Sequence, residues 1–503
     1  MCATGCEQAP CTGSVAADRE MTSTMFAHAS KAVEAALAAG AAYADARVVV
    51  RRAEHVSARN GDLEAVGNDL DAGVGVRALV GSSWGFAAAS DLGDDAAAAR
   101  AGAQAAATAR ASALVAGADL AVADVPVSAD RYRTPHEEHP FAITLEEKVA
   151  VVLAATATMS AVDGVAVATA QLMFWDTEKW FVSSQGHRIH QHLVESGCGM
   201  DATAVGAHET QRRSYPQAFG QVETGGYEVV RRYDLPGHAT RVAEEAVQLL
   251  SADPCPSGEF DLILESSQLA LQIHESVGHA VELDRILGWE AAFAGTSFLD
   301  LRQLGTLRYG SELMHITADA TIPGALATFA YDDEGTPAQR VDIVRDGRWV
   351  GVLSGRDSAH LAGLSPGGMV RADGFNRLPM VRMTNVGLEP GTSSLEEIIA
   401  ETQHGVVMAT NRSWSIDDKR LNFQFGCEMG WEVRNGKRTR LVRNPTYTGI
   451  TPQFWSRLDM LAGGEEWHPW GVPNCGKGQP MQVGHTGHPA APARFRRVRI
   501  GVA

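Results

Sequence analysis

Residues 274–284 read His274-Glu-Ser-Val-Gly-His279-Ala-Val-Glu282-Leu-Asp284, and a helix beginning near Ser267 is expected to carry them. Two imidazoles with a carboxylate beside the first are the components of a hydrolytic zinc site. Zinc takes neutral nitrogen ligands and keeps one position open for water, and the carboxylate accepts the proton of that water. The H-E-x-x-x-H pattern therefore predicts a metal centre with His274 and His279 as ligands and Glu275 as general base.

The spacing of the two histidines demands a distorted helix. Side chains at i and i+5 point about 140° apart on an ideal α-helix, too far apart to meet one ion. A π-bulge or a break in the helix would bring them together. Gly278 directly precedes His279, where the backbone can be distorted most easily. The sequence therefore predicts an irregular helical turn between His274 and His279.

Working outward from this stretch, the sequence predicts an α+β protein of more than one domain, because 503 residues exceed one ordinary core. An N-terminal mixed α/β domain is expected over residues 25–252. A β-rich C-terminal domain over residues 253–503 is expected to carry the metal-binding helix. Residues 1–24 are expected to form a disordered leader, and they contain Cys2, Cys6 and Cys11, whose spacing matches no zinc pattern.

Capping residues and apolar periodicity place the individual elements. Helices are predicted from Phe26 to Ala39, from Asp94 as N-cap to Ala116, from the Thr144 cap, and from Pro236 to Leu250. Strands are predicted over Tyr43–Val50, within Val165–Val222 and over Phe260–Leu264, with a hairpin or meander over Leu63–Val80 and a polar linker over Pro126–Pro140.

Composition excludes several classes of function. The net charge of −17 argues against nucleic-acid binding, which requires clustered Lys and Arg. No run approaches the roughly 18 apolar residues of a membrane helix, so no membrane role is expected. Seven cysteines in so long a chain do not form a disulfide framework, and no secretory signal pattern is visible. We therefore expect a cytoplasmic protein.

The chain resembles the TldD/PmbA family of metallopeptidases, whose hallmark H-E-x-x-x-H-x-x-E-x-D is matched at residues 274–284. Further matches appear in family order. They are Tyr43-Ala-Asp45, Gly73-Val-Gly-Val-Arg77, Trp84-Gly-Phe86, Asp332-Asp-Glu-Gly-Thr-Pro337, Arg382-Met-Thr-Asn385 and Asn474-Cys-Gly-Lys477 with Gln479. The last segment has one residue fewer between Lys477 and Gln479 than is typical of the family.

The resemblance implies that Zn²⁺ is bound by His274, His279 and Cys475. It assigns Glu282 and Asp284 to supporting roles around these ligands, although a carboxylate after the second histidine is also a common zinc ligand.

Three further residues are rivals for the third position. Cys427 lies in an apolar strand-like context and is expected to be packed. His485 and His488 follow glycines and are expected on a surface loop.

The resemblance also implies a substrate and a partner. The substrate would be an unfolded or short peptide, hydrolysed inside a dimer cavity. The chain would be the catalytic subunit of a homodimer, or of a heterodimer with a TldE/PmbA-like paralogue. Two alternatives stay open: a hydrolase that cuts an amide of a small natural product, and a non-catalytic assembly subunit with a relic motif.

Overall fold

The computed structural model describes residues 12–115, 117–218, 220–293 and 295–501. The ten α-helices are α1 Thr12–Ala38, α2 Asp95–Ser112, α3 Leu145–Ser160, α4 Glu228–Tyr233, α5 Leu235–Ser251, α6 Ser266–Ile273, α7 Leu283–Ile286, α8 Arg356–Ala362, α9 Leu395–Ala400 and α10 Thr451–Trp455, counted within these ranges.

Twenty-four strands lie in the same described ranges. They are β1 Tyr43–Arg59, β2 Asp62–Val80, β3 Ser83–Ala89, β4 Ala129–Arg133, β5 Val165–Ser183, β6 Arg188–Val205, β7 Thr210–Tyr215, β8 Gln221–Thr224, β9 Asp253–Pro254, β10 Gly258–Leu264, β11 Ile316–Asp319, β12 Arg340–Arg345, β13 Arg348–Trp349, β14 Val370–Arg371, β15 Met380–Val381, β16 Asn385–Leu388, β17 His404–Ile416, β18 Asn422–Arg434, β19 Lys437–Arg443, β20 Thr446–Ile450, β21 Leu458–Leu461, β22 His468–Lys477, β23 Gln482–Ala490 and β24 Ala493–Ile500.

The N-terminal half is one sheet covered by helices on a single face. Its strand order is β3-β2-β1-β5-β6-β4, with β7 and β8 also paired to β6. Alternate residues of β1, such as Ala46 and Val48, are buried with α1 and α2. Leu172 of β5 and Ala202 of β6 point to the same side and are buried with α3 and α5. The period-2 alternation of strands leaves the opposite face for the C-terminal half.

The C-terminal half packs two larger sheets around α6. In the first, β17, β10, β24, β20 and β18 form a closed ring of pairings, extended by β19, β9 and β21. The second has the order β13-β12-β11-β16-β23-β22, and β14 pairs with β15. Leu269 and Ile273 of α6 are fully buried in the shared apolar core. The predicted metal-binding segment therefore begins inside the core of this half.

Buried ion pairs join the two halves. Asp333 accepts hydrogen bonds from Lys179 Nζ at 2.9 Å and from Arg47 Nη1 at 3.3 Å. Arg77 joins Asp45 on β1 to Glu334, at 2.6 and 2.8 Å. Burial alone would raise the pKa of Asp333, but Lys179 and Arg47 outweigh it and lower the pKa to about 2. Ion pairs therefore hold the C-terminal half against the face of the first sheet that no helix covers.

The α+β class and the β-rich C-terminal half are confirmed, as are two predicted caps. Asp94 accepts a hydrogen bond from Ala96 N, and Thr144 accepts one from Glu147 N. None of the described helices is both long and apolar enough to cross a membrane. The division into domains at residues 252 and 253 stays a prediction.

Three local expectations were wrong. Helix α1 begins at Thr12, inside the expected leader, because residues 12–38 contain no proline that would end the helix. Cys2, Cys6 and Cys11 lie outside the described residues. The expected linker contains β4, a mostly exposed strand that pairs with β6 and so lacks an apolar pattern. Segment Leu63–Val80 belongs to the single strand β2, whose first half is exposed, including the apolar Leu63, Val66 and Leu70.

Candidate metal centre

The segment after α6 is an irregular helix. A π-helical turn spans His274–Gly278, and the backbone N–H of His279 donates to the carbonyl of His274, five residues earlier. A 3₁₀ turn follows over His279–Val281. The Tyr309 hydroxyl donates to Ser276 O at 2.6 Å, which satisfies a carbonyl inside the distorted turn. The predicted irregularity is confirmed, and it stacks the two histidines on one side.

Gly278 is needed for a different reason from the one expected. Its φ of −51° and ψ of −58° are ordinary helical values, so no special backbone freedom is used. A Cβ at this position would lie 2.1 Å from Met383 Sδ, closer than any real contact. Glycine therefore allows the π-turn to pack against the Arg382-Met-Thr-Asn385 segment.

His274, His279 and Cys475 converge in the core. Their ligand atoms lie within 4.8 Å of one another, and all three residues are buried. The Cys475 Sγ is 3.5 Å from His279 Nε2, and the two imidazole rings stand nearly perpendicular with centroids 4.8 Å apart. Strand β22 delivers the thiol, and its hairpin with β23 sets Cys475 directly opposite Gly484. The hairpin thus brings Cys475 to two histidines that lie 196 or more residues earlier in the chain.

A chain of hydrogen bonds sets the tautomer of His274. The Nδ1 of His488 lies 3.0 Å from Val386 O, which can only accept, so His488 donates from Nδ1. Burial lowers the pKa of His488 well below its ordinary value, so its ring is neutral and Nε2 accepts. His274 Nδ1 lies 2.7 Å from that Nε2 and must donate. The Nε2 lone pair of His274 is therefore left free.

Nearby carboxylates fix the tautomer of His279. Glu282 Oε2 accepts from His279 Nδ1 at 2.9 Å, which leaves His279 Nε2 facing the thiol. The buried ammonium of Lys477 lies 3.3 Å from Glu282 and 2.8 Å from Asp284. Burial favours a neutral Glu282, but Lys477 and His279 outweigh it and hold the pKa well below its usual range. Glu282 and Asp284 thus fasten the cysteine-bearing strand to the histidine-bearing turn.

The three convergent side chains have shifted pKa values. Burial lowers the pKa of both His274 and His279, which keeps both rings neutral near pH 7. Burial alone would raise the pKa of the Cys475 thiol, but His279 and Arg382 outweigh it and lower the pKa. Neutral imidazoles and a thiol prone to ionise are the forms that bind a soft divalent metal.

Glu275 receives a hydrogen bond from an arginine that sequence reasoning did not single out. Arg420 Nη1 donates to Glu275 Oε2 at 2.5 Å. Arg420 has a φ of 63°, a left-handed conformation that is strained for a bulky side chain. Its turn is held because Asp417 accepts from Leu421 N, and because Arg420 O accepts from the Thr451 hydroxyl. The fold therefore maintains a strained residue to place a guanidinium on Glu275.

A second group of possible ligands lies at the first sheet, with Asp176 on β5, His192 on β6 and His139 in the segment between β4 and α3. His139, Asp176 and His192 also place ligand atoms within 4.8 Å of one another, and only His192 is buried. Arg133 Nε donates to His192 Nδ1 at 3.1 Å, so the proton of neutral His192 is on Nε2 and is directed to Asp176, 2.6 Å away. Hydrogen bonds within the chain are enough to explain why these three side chains lie close together.

The rival ligands are placed differently from the sequence expectation. His485 and His488 are not on a surface loop: both lie on β23, and His488 is fully buried against His274. Once β23 is known to be a strand, its alternation puts His488 on the same face as Gly484, the partner of Cys475. Cys427 is fully buried in β18, as expected for a packed residue. Sequence reasoning missed Arg420 and Tyr309, named His488 but placed it on a surface loop, and noted Arg382 only as part of a motif.

Known proteins resemble this chain along almost its whole length. Models described as PmbA/TldA metallopeptidase domain 1, central domain and C-terminal domain match residues 44–113, 138–252 and 257–499. A protein of Methanothermobacter thermautotrophicus named metalloprotease is 29% identical over 460 residues, covering 91% of this chain and 95% of that protein.

Solved structures share the fold at low sequence identity. TldE from Thermococcus kodakarensis is 14% identical, with a TM-score of 0.68 over 93% of this chain and 99% of that one. A Thermotoga maritima protein, described as a proposed modulator of a DNA gyrase, is 17% identical, with a TM-score of 0.74 over 96% of this chain and 100% of that one. The three matching family domains establish that the chain belongs to the PmbA/TldD family of metallopeptidases.

Proposed function

We propose that this chain is a zinc-dependent peptidase, with His274, His279 and Cys475 as metal ligands and Glu275 as general base. The observation that carries the proposal is the hydrogen-bond chain around the two imidazoles. His274 and His279 both donate from Nδ1, so both leave an Nε2 lone pair beside the thiol. A site that only needed two packed histidines would not require both rings in the same tautomer.

The donor set fits zinc. One thiolate and two imidazoles are a common zinc ligand combination, and three protein ligands leave a fourth position open. Tetrahedral zinc with ordinary bond lengths separates a nitrogen and a sulfur ligand by about 3.6 Å, and the Cys475 Sγ and His279 Nε2 are 3.5 Å apart. When bound there, zinc would supply Lewis-acid polarisation of a carbonyl and a water of lowered pKa.

The residues of the chain then perform the proton transfer. Glu275 accepts the proton of the attacking water and later passes it to the leaving amine. Arg420 positions the Glu275 carboxylate through its 2.5 Å hydrogen bond. Because the side chain of Glu275 is only 7% exposed, competing bulk water has little access to it. This arrangement supports hydrolysis of an amide bond.

The relatives are named metalloproteases, which favours peptides as substrates. We infer unfolded or short peptides, hydrolysed in a cavity of a homodimer or of a heterodimer with a TldE/PmbA-like paralogue, since the fold is shared with TldE. A small natural-product amide is the alternative substrate.

The decisive experiment compares Glu275→Gln with the unaltered protein, each alone and mixed with a TldE/PmbA-like paralogue. Zinc content should be unchanged, while hydrolysis of an unfolded test protein and of small amides should fall by about 10²–10⁴-fold. Glu401→Gln, at an exposed helix end, is the matched control and should keep full activity. An active Glu275→Gln protein would remove the general base from this proposal, and an unaltered protein inactive on every amide would favour the assembly role.

A further inference from the structure

A cationic cavity lies beside the candidate metal centre, between the first sheet and β23. It has a volume of about 80 Å³ and is lined by, among others, Arg47, Arg51, Lys179, Arg371, Arg382 and His485. We propose that Arg371 and Arg382 bind a carboxylate of the substrate in this cavity, either the C-terminal carboxylate of a peptide or an acidic side chain. The inference rests on the proposed peptidase function and names the substrate class.

The cavity is structurally continuous with the metal centre. Gly484, one of its lining residues, pairs directly with Cys475. Directly opposed residues of an antiparallel pair point to the same face, and a Cβ on Gly484 would lie 2.5 Å from Arg382 Nη2. The guanidinium of Arg382 therefore covers Gly484 on the face that carries the thiol. Arg382 also donates to Cys475 O, so the cavity wall and the thiol-bearing strand share one side chain.

Most cations of the cavity already have a carboxylate partner. Arg47 and Lys179 share Asp333. Arg51 pairs with Asp373 at 3.3 Å, and the His485 ring forms a hydrogen bond with Glu195 at 2.8 Å. Each of these side chains therefore already has a carboxylate within hydrogen-bond or ion-pair distance.

Arg371 and Arg382 differ from these cations. Their side-chain hydrogen bonds go to backbone carbonyls: Arg371 to Met383 O, and Arg382 to Cys475 O and Gln482 O. Both Nε atoms are buried without a hydrogen-bond partner. Arg382 is only 2% exposed, and neither guanidinium forms an ion pair with any carboxylate in the described part of the chain.

Electrostatics explains why such a pair calls for an anion. Burying a guanidinium without a counter-ion is costly, and two in one cavity also repel each other. Burial, reinforced by the neighbouring Arg382, lowers the pKa of Arg371 to about 10, although Asp333 and Glu195 act in the opposite direction without contacting the guanidinium. The planar fork of arginine matches a carboxylate with two parallel hydrogen bonds. A substrate carboxylate would supply a directly bonded counter-ion and hold the adjoining peptide beside the candidate metal centre.

Three short peptides that share one sequence without acidic residues test the inference. The first ends in a free carboxylate, the second in a carboxamide, and the third in a carboxamide with one Glu introduced near the end. Binding to the metal-free full chain is measured by fluorescence anisotropy, and hydrolysis is measured separately with the zinc-loaded protein. We expect the first or third peptide to bind at least about tenfold more tightly than the second. The first would identify the C-terminal carboxylate as the ligand, and the third an acidic side chain.

Variants of Arg371 test whether the preference for peptides with a carboxylate arises in the cavity. Arg371→Met should reduce the acid-to-amide affinity ratio to within about twofold of unity, and Arg371→Lys should retain part of it. Arg308→Met, at a half-exposed position outside the cavity lining, should leave the ratio intact. Equal binding of all three peptides, or a ratio that survives Arg371→Met, would overturn the site.

The two readouts separate this inference from the proposed function. Carboxylate-dependent binding without hydrolysis of any peptide would keep the cavity site and count against the peptidase. Hydrolysis with no acid-to-amide preference in binding would keep the peptidase and remove the cavity site.

Discussion

Two groups of side chains in this protein offer similar donors to a metal, yet they are built differently. His274, His279 and Cys475 are buried in the C-terminal half, whereas Asp176 and His192 lie on β5 and β6 of the first sheet with His139 beside them, and only His192 is buried. Both groups keep their ligand atoms within 4.8 Å of one another. Proximity and residue type therefore do not distinguish them.

The partner of the other ring nitrogen does distinguish them. In the buried group, His488 and Glu282 accept the Nδ1 protons and leave both Nε2 atoms as acceptors. In the first-sheet group, Arg133 donates to His192 Nδ1, which forces the proton onto Nε2 and into a hydrogen bond with Asp176. A ligand that already donates a proton from its binding nitrogen is not ready for a cation. The comparison teaches that the surrounding hydrogen bonds, more than the ligands, identify a metal site.

The largest expected effect tests the comparison directly through metal content. Cys475→Ser should lose nearly all of about one zinc per chain, because a hydroxyl is a much poorer zinc ligand than a thiolate. His192→Ala should retain it. Elemental analysis of both purified variants beside the unaltered protein is the measurement. Zinc lost from His192→Ala and kept in Cys475→Ser would reverse the assignment of the two groups.

The distorted helix is the part of the candidate site that sequence reasoning reached most securely. A five-residue histidine spacing cannot serve one ion on a regular α-helix, and the π-turn His274–Gly278 resolves that conflict. The caps at Asp94 and Thr144 were predictable for a similar reason, since each side chain acts on a backbone N–H within three residues. Local geometry is readable from local sequence.

Contacts between distant segments were not readable in this way. His488 contributes to the site only because β22 and β23 pair in one register, and a polar run with glycines hides that strand. Arg420 reaches Glu275 across 145 residues from a strained turn that carries no sequence signal. Strand β4 escaped prediction because its exposed side chains show no apolar alternation.

The second prediction compares how much one carboxylate beside each group contributes to the free energy of unfolding. Glu282→Gln should lower the free energy of unfolding of metal-free protein by about 3 kcal/mol or more, since Lys477 would lose a fully buried counter-charge. Asp176→Asn, whose carboxylate is 16% exposed, should cost about 1 kcal/mol. Urea unfolding in the presence of a chelator measures both. A similar cost for the two would contradict the difference in burial.

The pH dependence of the Glu282 effect has a definite sign. The pKa of Glu282 is depressed in the folded protein, so its contribution is complete above the ordinary value of 4.5 and is lost as pH falls below it. The difference in stability between the unaltered protein and Glu282→Gln should therefore narrow below about pH 4.5. A difference that widened on acidification would mean that Glu282 is protonated in the folded state.

The smallest expected effect concerns the acceptor that sets the tautomer of His274. His488→Ala should leave zinc bound but weaken its affinity by about 10- to 100-fold, the usual cost of removing a partner of a ligating histidine. His485→Ala, three positions earlier on the same strand and paired with Glu195, is the matched control and should keep the affinity for zinc. Competition with a chromophoric chelator gives both affinities. Equal zinc affinity of the two variants would contradict the role of the His274–His488 hydrogen bond in metal binding. The difference between the buried group and the first-sheet group would then rest on burial alone.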